Sequence, residues 1–175
     1  MEKNNQSGDP SAAIFYGFGF GLFCLAVQLL IAPKAAGAAL YGVLFAGTLE
    51  FFGGVWTLAK GETYFGTVLT TFGGWLLGYY FLMTQGMALQ VYSNESAATY
   101  MFGMLPPLIM LTIPAFKMGK MMILAFVSLV LLVACLGLAP IFGNSSLIFF
   151  AGIFAALACF ALWYFAAQAT FRIFK

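Results

Sequence analysis

Histidine is absent from this 175-residue chain. That excludes histidine-based catalytic triads and zinc sites built on imidazole. Charge is scarce as well: Asp, Glu, Lys and Arg together make up 7% of residues, against about 25% in an ordinary soluble domain. A water-facing surface cannot be assembled from so few charged groups. No glycine-rich phosphate loop precedes a Lys-Ser or Lys-Thr pair, and no long polar stretch is available for a catalytic domain. An enzyme is therefore not expected, and no cofactor is implied. The net charge of +2 gives no reason to expect a nucleic-acid partner. The three cysteines, Cys24, Cys135 and Cys159, lie inside apolar runs, so they do not read as a disulfide framework.

What is abundant is apolar: 63% of residues are hydrophobic. A helix needs about 20 apolar residues to cross the hydrocarbon core. The predicted fold class is an all-α integral membrane protein, a bundle of six transmembrane helices. The spans fall at 11–32, 36–59, 63–85, 97–116, 119–139 and 146–171. They form one transmembrane domain (11–171) between a short polar N-terminus (1–10) and a short basic C-terminus (172–175). The first apolar run is as long as a full span and follows a polar start, which does not fit a cleavable signal. Breaks between spans carry turn chemistry, such as Pro33-Lys34, Lys60-Gly61-Glu62-Thr63 and Gly143-Asn144-Ser145.

Charge placement predicts orientation. With six spans, Lys3, Lys60, Lys117, Lys120, Arg172 and Lys175 share one side, and Lys34 alone lies on the other. The positive-inside rule makes the first side cytoplasmic, with both termini there, in a multi-pass cell-membrane protein. Asn94-Glu95-Ser96 and Asn144-Ser145-Ser146 have the glycosylation pattern on the outer side, but they also read simply as polar turns.

Polar and small residues recur at helical spacing on the first three spans: Gly17, Gly21, Cys24 and Gln28; Gly47, Glu50, Gly54 and Thr57; Thr67, Thr71, Gly74 and Gly78. Each set is expected to form one inward stripe. Such stripes are packing seams, walls of a passage, or both. Glu50 is the only ionisable residue deep inside a span. It lies about 21 Å along the helix from the outer end, at 1.5 Å per residue. A charge at mid-helix is costly, and no basic residue lies at that depth. Either a wet passage reaches Glu50 or the carboxyl carries a proton, because removal from water favours the neutral acid. A buried structural acid is the alternative. Pro106-Pro107 interrupt the fourth span and either shape a cavity or are accommodated by packing.

Three stretches resemble the acetate uptake transporter (AceTr) family. The first runs from Asp9-Pro10-Ser11 to Gly17-Phe18-Gly19, similar to the family's Asn-Pro-Ala-Pro-Leu-Gly-Leu followed by Gly-Phe-Gly. In the second, Gly53-Gly54, Lys60-Gly61-Glu62-Thr63-Tyr64-Phe65-Gly66 and Thr70-Thr71-Phe72-Gly73-Gly74-Trp75 resemble a longer family run. The third is Lys117-Met118-Gly119-Lys120 leading into Phe126-Val127-Ser128-Leu129. The order and spacing of these stretches, more than any one of them, carry the resemblance.

The resemblance implies a homohexamer of six-helix protomers, each with its own pathway. The implied cargo is acetate and related short carboxylates such as succinate, moved with protons across the lipid bilayer. It implies an apolar constriction of Phe18, Phe72 and Leu129, with Thr71 and Ser128 beside it as hydrogen-bonding groups. Asp9-Pro10 would mark the pore entrance; on local chemistry alone they read as a helix cap with proline in the first turn. The sequence departs from the family pattern at Asp9 for Asn, Ala12 for Pro, Thr57 for Glu, Glu62 for Asn and Phe72 for Tyr. It also carries Glu50 where Gln is usual. Glu50 therefore either couples acetate to a proton or points to another cargo. A channel for urea, an amide or ammonium is the alternative transport function, and a non-transporting membrane scaffold the alternative class.

Overall fold

The computed structural model describes residues 9–172, and the side chain of Arg172 is not among what it describes. Lys3 and Lys175, two of the charges used above for orientation, lie outside the described residues. Six long helices account for nearly all of the described residues: α1 (Ser11–Leu30), α2 (Ala36–Ala59), α3 (Thr63–Ala88), α4 (Asn94–Ala115), α5 (Lys120–Phe142) and α6 (Ser145–Arg172), with a 3-10 turn, Pro33–Ala35, between α1 and α2. Five of them are long and apolar enough to cross a membrane. The exception is α3, because Thr63, Thr67, Thr70, Thr71, Thr84 and Gln85 lower its apolarity. It carries no charged residue, and its 26 residues give about 39 Å of helix, enough to run the height of the bundle.

Helix ends follow local chemistry. The Asp9 carboxylate accepts the Ser11 amide at 3.0 Å and the Ser11 hydroxyl at 2.6 Å, while the Pro10 carbonyl accepts the first helical bond from Ile14. Asp9-Pro10 is thus a helix cap with proline in the first turn. The Ser11 hydroxyl, above all, holds the Asp9 carboxyl below its usual range. That cap is complete above the ordinary aspartate range and is lost as pH falls through the lowered value. Helix α4 begins three residues earlier than the sequence suggested. Ser93 and Ser96 form a reciprocal capping box that makes Asn94-Glu95-Ser96 the first helical turn. Helix α5 continues through Pro140 to Gly143, whose φ of +60° suits a helix stop. Helix α4 likewise continues through Pro106 and Pro107, with Pro106 on its exposed face.

The helices alternate in direction around a ring. Phe15 on α1 lies 5.9 Å from Phe165 on α6, and the α6 start meets the α1 end where Gly152 faces Leu30. Lys60, ending α2, lies near enough to Asp9 to act on its charge and approaches Glu62 at 3.9 Å. Around the ring the order is α3, α2, α1, α6, α5, α4. The α2–α3 seam is the tightest. A side chain at Gly73 would strike the Phe51 backbone amide, and one at Gly54 would strike the Thr70 amide. Between α1 and α2, Gly21 and Gly42 meet, with the position of a Gly42 Cβ 3.2 Å from the Gly21 Cα. Small residues at these crossings let backbones approach where lipid supplies no hydrophobic drive.

At the α3–α4 seam the backbones barely touch, and aromatic side chains bridge the gap. Trp75 stacks on Tyr100 at 6.2 Å and 10°. The Tyr100 hydroxyl donates to the Trp75 carbonyl at 2.7 Å, and the Trp75 indole donates to the Tyr100 carbonyl at 3.4 Å. Lower in the seam, the Tyr64 hydroxyl donates to the Leu111 carbonyl at 2.6 Å.

Gly73→Ala places a methyl group against the Phe51 backbone, which cannot step aside. It is expected to lower stability by about 1–3 kcal/mol, read as a lower thermal midpoint in detergent. Gly103→Ala, with open space around it, is expected to hold or raise the midpoint.

Candidate functional site

Among the described residues, two cavities lie between the helices of the ring. The larger, about 340 Å³, runs inward from the end of the bundle that carries Lys34. Gln28 and Leu29 of α1, Ala36 and Leu40 of α2, and Met83 and Met87 of α3 form its mouth. Its floor is formed by Phe18 and Leu129. Beyond that floor is a second space of about 30 Å³, room for roughly one water molecule. Phe18 and Leu129 line both spaces, and Phe72 and Glu50 line the inner one.

Phe18 and Leu129 therefore form an apolar barrier between the vestibule and the inner pocket, and Phe72 lines the inner side of it. All three are buried, and the Phe18 and Phe72 rings stand 6.1 Å apart at 53°. Phe72 is braced from the other side by the edge of Trp75 at 6.4 Å. Phe18 sits one turn from Gly21, so the close α1–α2 crossing pins it to the axis. Apolar side chains at such a point offer nothing in place of an ion's hydration shell.

Glu50 is 1% exposed, and its Oε2 has no hydrogen-bond partner. Every other side chain lining its pocket is Phe, Leu, Val, Met or Ala. Gly47 and Gly54, one turn either side of Glu50, are the points where α2 closes on α3. The carboxyl is thus held within the bundle, away from lipid.

The stripes predicted for α1 and α2 point inward: Gly17, Gly21 and Cys24 are buried, Gln28 lines the vestibule, and Gly47, Glu50, Gly54 and Thr57 are all buried. The stripe predicted for α3 does not. Thr67 is exposed, Thr71 is half-buried, and neither lines a cavity. Helix α3 meets α2 through Gly66, Gly73 and the Thr70 amide instead, which turns Thr67 and Thr71 to the flank, while Gly78 receives the Tyr100 hydroxyl. Ser128 is buried beside Leu129 but lines neither cavity. Asp9 and Pro10 cap α1 at the end opposite the vestibule mouth. Pro106 and Pro107 line neither cavity.

Sequence reasoning missed the aromatic and sulfur-rich wall of the vestibule: Trp75, Tyr79, Met83 and Met87 on α3, and Met101 on α4. The four-residue spacing from Trp75 through Tyr79 and Met83 to Met87 was the available signal. No metal-holding cluster of Cys, Asp or Glu occurs among the described residues, and the three cysteines are free.

A ring of antiparallel membrane helices with an axial vestibule, an apolar barrier and a buried acid beyond it defines a multi-pass membrane transport protein. The particular family follows from comparison. The model of the GPR1/FUN34/yaaH family matches residues 1–173, and the chain belongs to that family. Its fold is similar to the solved structure of the bacterial acetate channel SatP, with a TM-score of 0.85 and 20% identity, over 95% of this chain and 93% of that one. No curated protein sequence matches it.

Phe18→Ala removes the side chain that separates the two spaces. Liposomes carrying this variant are expected to leak a hydrated anion such as chloride severalfold faster than those carrying the unmodified protein. Buried Phe→Ala changes cost about 3–5 kcal/mol, so the fold of the variant is verified by thermal melting.

Proposed function

We propose that this protein moves acetate and related short-chain carboxylates, succinate among them, across the membrane together with protons, by one pathway in each protomer. One observation carries this reading: the axial vestibule ends on the Phe18–Phe72–Leu129 barrier, and a single unpartnered carboxyl, Glu50, lies directly behind it. Membership of the GPR1/FUN34/yaaH family and likeness to an acetate channel supply the substrate class. An apolar barrier suits a methyl group and an uncharged carboxyl, and a proton delivered with the substrate removes the charge the barrier would refuse.

In this reading the end carrying Lys60, Lys117 and Lys120 faces the cytoplasm, and the vestibule opens outward. Protomers associate as a hexamer through apolar flanks that expose Phe45, Phe52, Trp56 and Phe81. Thr71 and Ser128 then act at a distance from the cargo, supporting the barrier rather than lining its approach. Glu50 is also the one feature that favours a small neutral or cationic solute, such as urea, an amide or ammonium.

Uptake of labelled acetate, succinate, urea and ammonium into proteoliposomes decides between these readings. Acetate uptake that rises when the outer solution is acidified is expected. Glu50→Gln is expected to fold and to change the pH dependence: its side chain stays neutral, so the fall in uptake at rising pH becomes shallower. Urea or ammonium flux without acetate flux would replace the carboxylate reading, and no flux of any solute would leave a scaffold.

A further inference from the structure

The inner pocket has a chemistry of its own. Among the described residues, Glu50 is its only polar side chain, and no other titratable or charged group lines it from any neighbouring helix. Helix α1 contributes Phe15 and Phe18, α6 contributes Leu162, and α3 and α5 contribute only Phe, Val, Leu, Met and Ala. No lysine or arginine is present to pair with an ionised carboxylate there, whether it belongs to Glu50 or to a permeating acid. Two carboxylates side by side in so dry a space would repel each other. A carboxylate without a cation cannot be held there without water.

Building on the carboxylate reading above, we propose that neutral Glu50 binds the uncharged acid form of the substrate by a cyclic pair of hydrogen bonds, carboxyl to carboxyl. The Glu50 hydroxyl donates to the substrate's carbonyl oxygen, and the substrate's hydroxyl donates to the Glu50 carbonyl oxygen. No bond is broken, and both protons stay with their own acids. The unpartnered, buried Oε2 is the atom this pairing satisfies. In a low-dielectric site with no competing water, such a pair is far stronger than in solution. The pocket has room for only about one water molecule, so the Phe18 and Phe72 rings must part for the acid to enter.

The group recognised is then a donor and an acceptor on one carbon atom, whatever the charge of the parent ion in bulk water. Carboxylic acids and primary amides have it; ketones and esters lack the donor. A site built around a hydrogen bond rejects analogues that cannot make it. The pairing also makes transport electroneutral, because the acid enters and leaves with its proton.

The test measures labelled acetate uptake into proteoliposomes from an acidic outer solution, for the unmodified protein, Glu50→Gln and Glu50→Leu. Acetamide is expected to compete with acetate, whereas acetone and methyl acetate at equal concentration are not. Glu50→Gln, which keeps adjacent donor and acceptor, is expected to retain uptake within a few-fold. Glu50→Leu is expected to lose about tenfold or more, with folding checked by thermal melting. An imposed membrane potential is expected to leave the initial rate unchanged. Competition by acetone equal to that by acetamide overturns the pairing while leaving acetate transport in place, and it does so on the unmodified protein alone. Full uptake by folded Glu50→Leu does the same. Absence of acetate uptake by the unmodified protein removes the carboxylate reading itself.

Discussion

The close approach of α1, α2 and α3 governs the rest of the molecule. In lipid, helices gain nothing by hiding apolar side chains from one another, so association rests on packing and on polar groups turned inward. Gly21 against Gly42, and Gly47, Gly54 and Gly73 along the α2–α3 seam, remove the side chains that would hold those backbones apart. With the crossings fixed, α2 has one rotation available. That rotation puts Glu50 inside the ring and leaves Phe52, Val55 and Trp56 facing out. The same crossings bring Phe18 and Phe72 together on the axis.

The six helices, and five of the six as apolar spans, were legible because charge is so scarce that each short polar break stands out. The α2 boundaries coincide with the reading because alanines flank it and Lys60-Gly61 ends it. The α4 start was misplaced because a serine capping box converts a polar turn into helix, and hydropathy cannot distinguish the two. The inward stripes of α1 and α2 could be read because small residues and polar residues there share one face. On α3 they do not: small residues occur on two faces, Gly66, Gly73 and Gly74 toward α2 and Gly78 toward Tyr100 of α4. The threonine stripe joined residues of both faces. The vestibule was legible only in part. Phe18, Gly21, Gln28 and Leu129 line it, but most of its wall is Trp, Tyr, Met, Leu, Val and Ala, residue types that elsewhere on this chain face lipid, and only the packing of whole helices separates one use from the other.

In the proposed pathway the barrier and the acid behind it divide the work. Apolar rings exclude by offering no substitute for water, and a lone carboxyl in a dry pocket selects by hydrogen bonding. Neither element needs a fixed positive charge, and among the described residues no lysine or arginine lines either cavity. A pathway for carboxylates without a cation beside it is consistent with a chain that keeps its few basic residues at the helix ends.

The seam between α3 and α4 gives the ring a weak point. Elsewhere neighbouring helices are locked by backbone proximity, whereas here the two are joined through the paired Trp75 and Tyr100 and the single Tyr64 hydroxyl. Topologically the protomer is a horseshoe with a clasp. Parting α3 from α4 would break these aromatic contacts but none of the glycine crossings among α1, α2 and α3, and Trp75, which meets the Phe72 ring, belongs to that clasp. The clasp and the rings on the axis thus share one side chain.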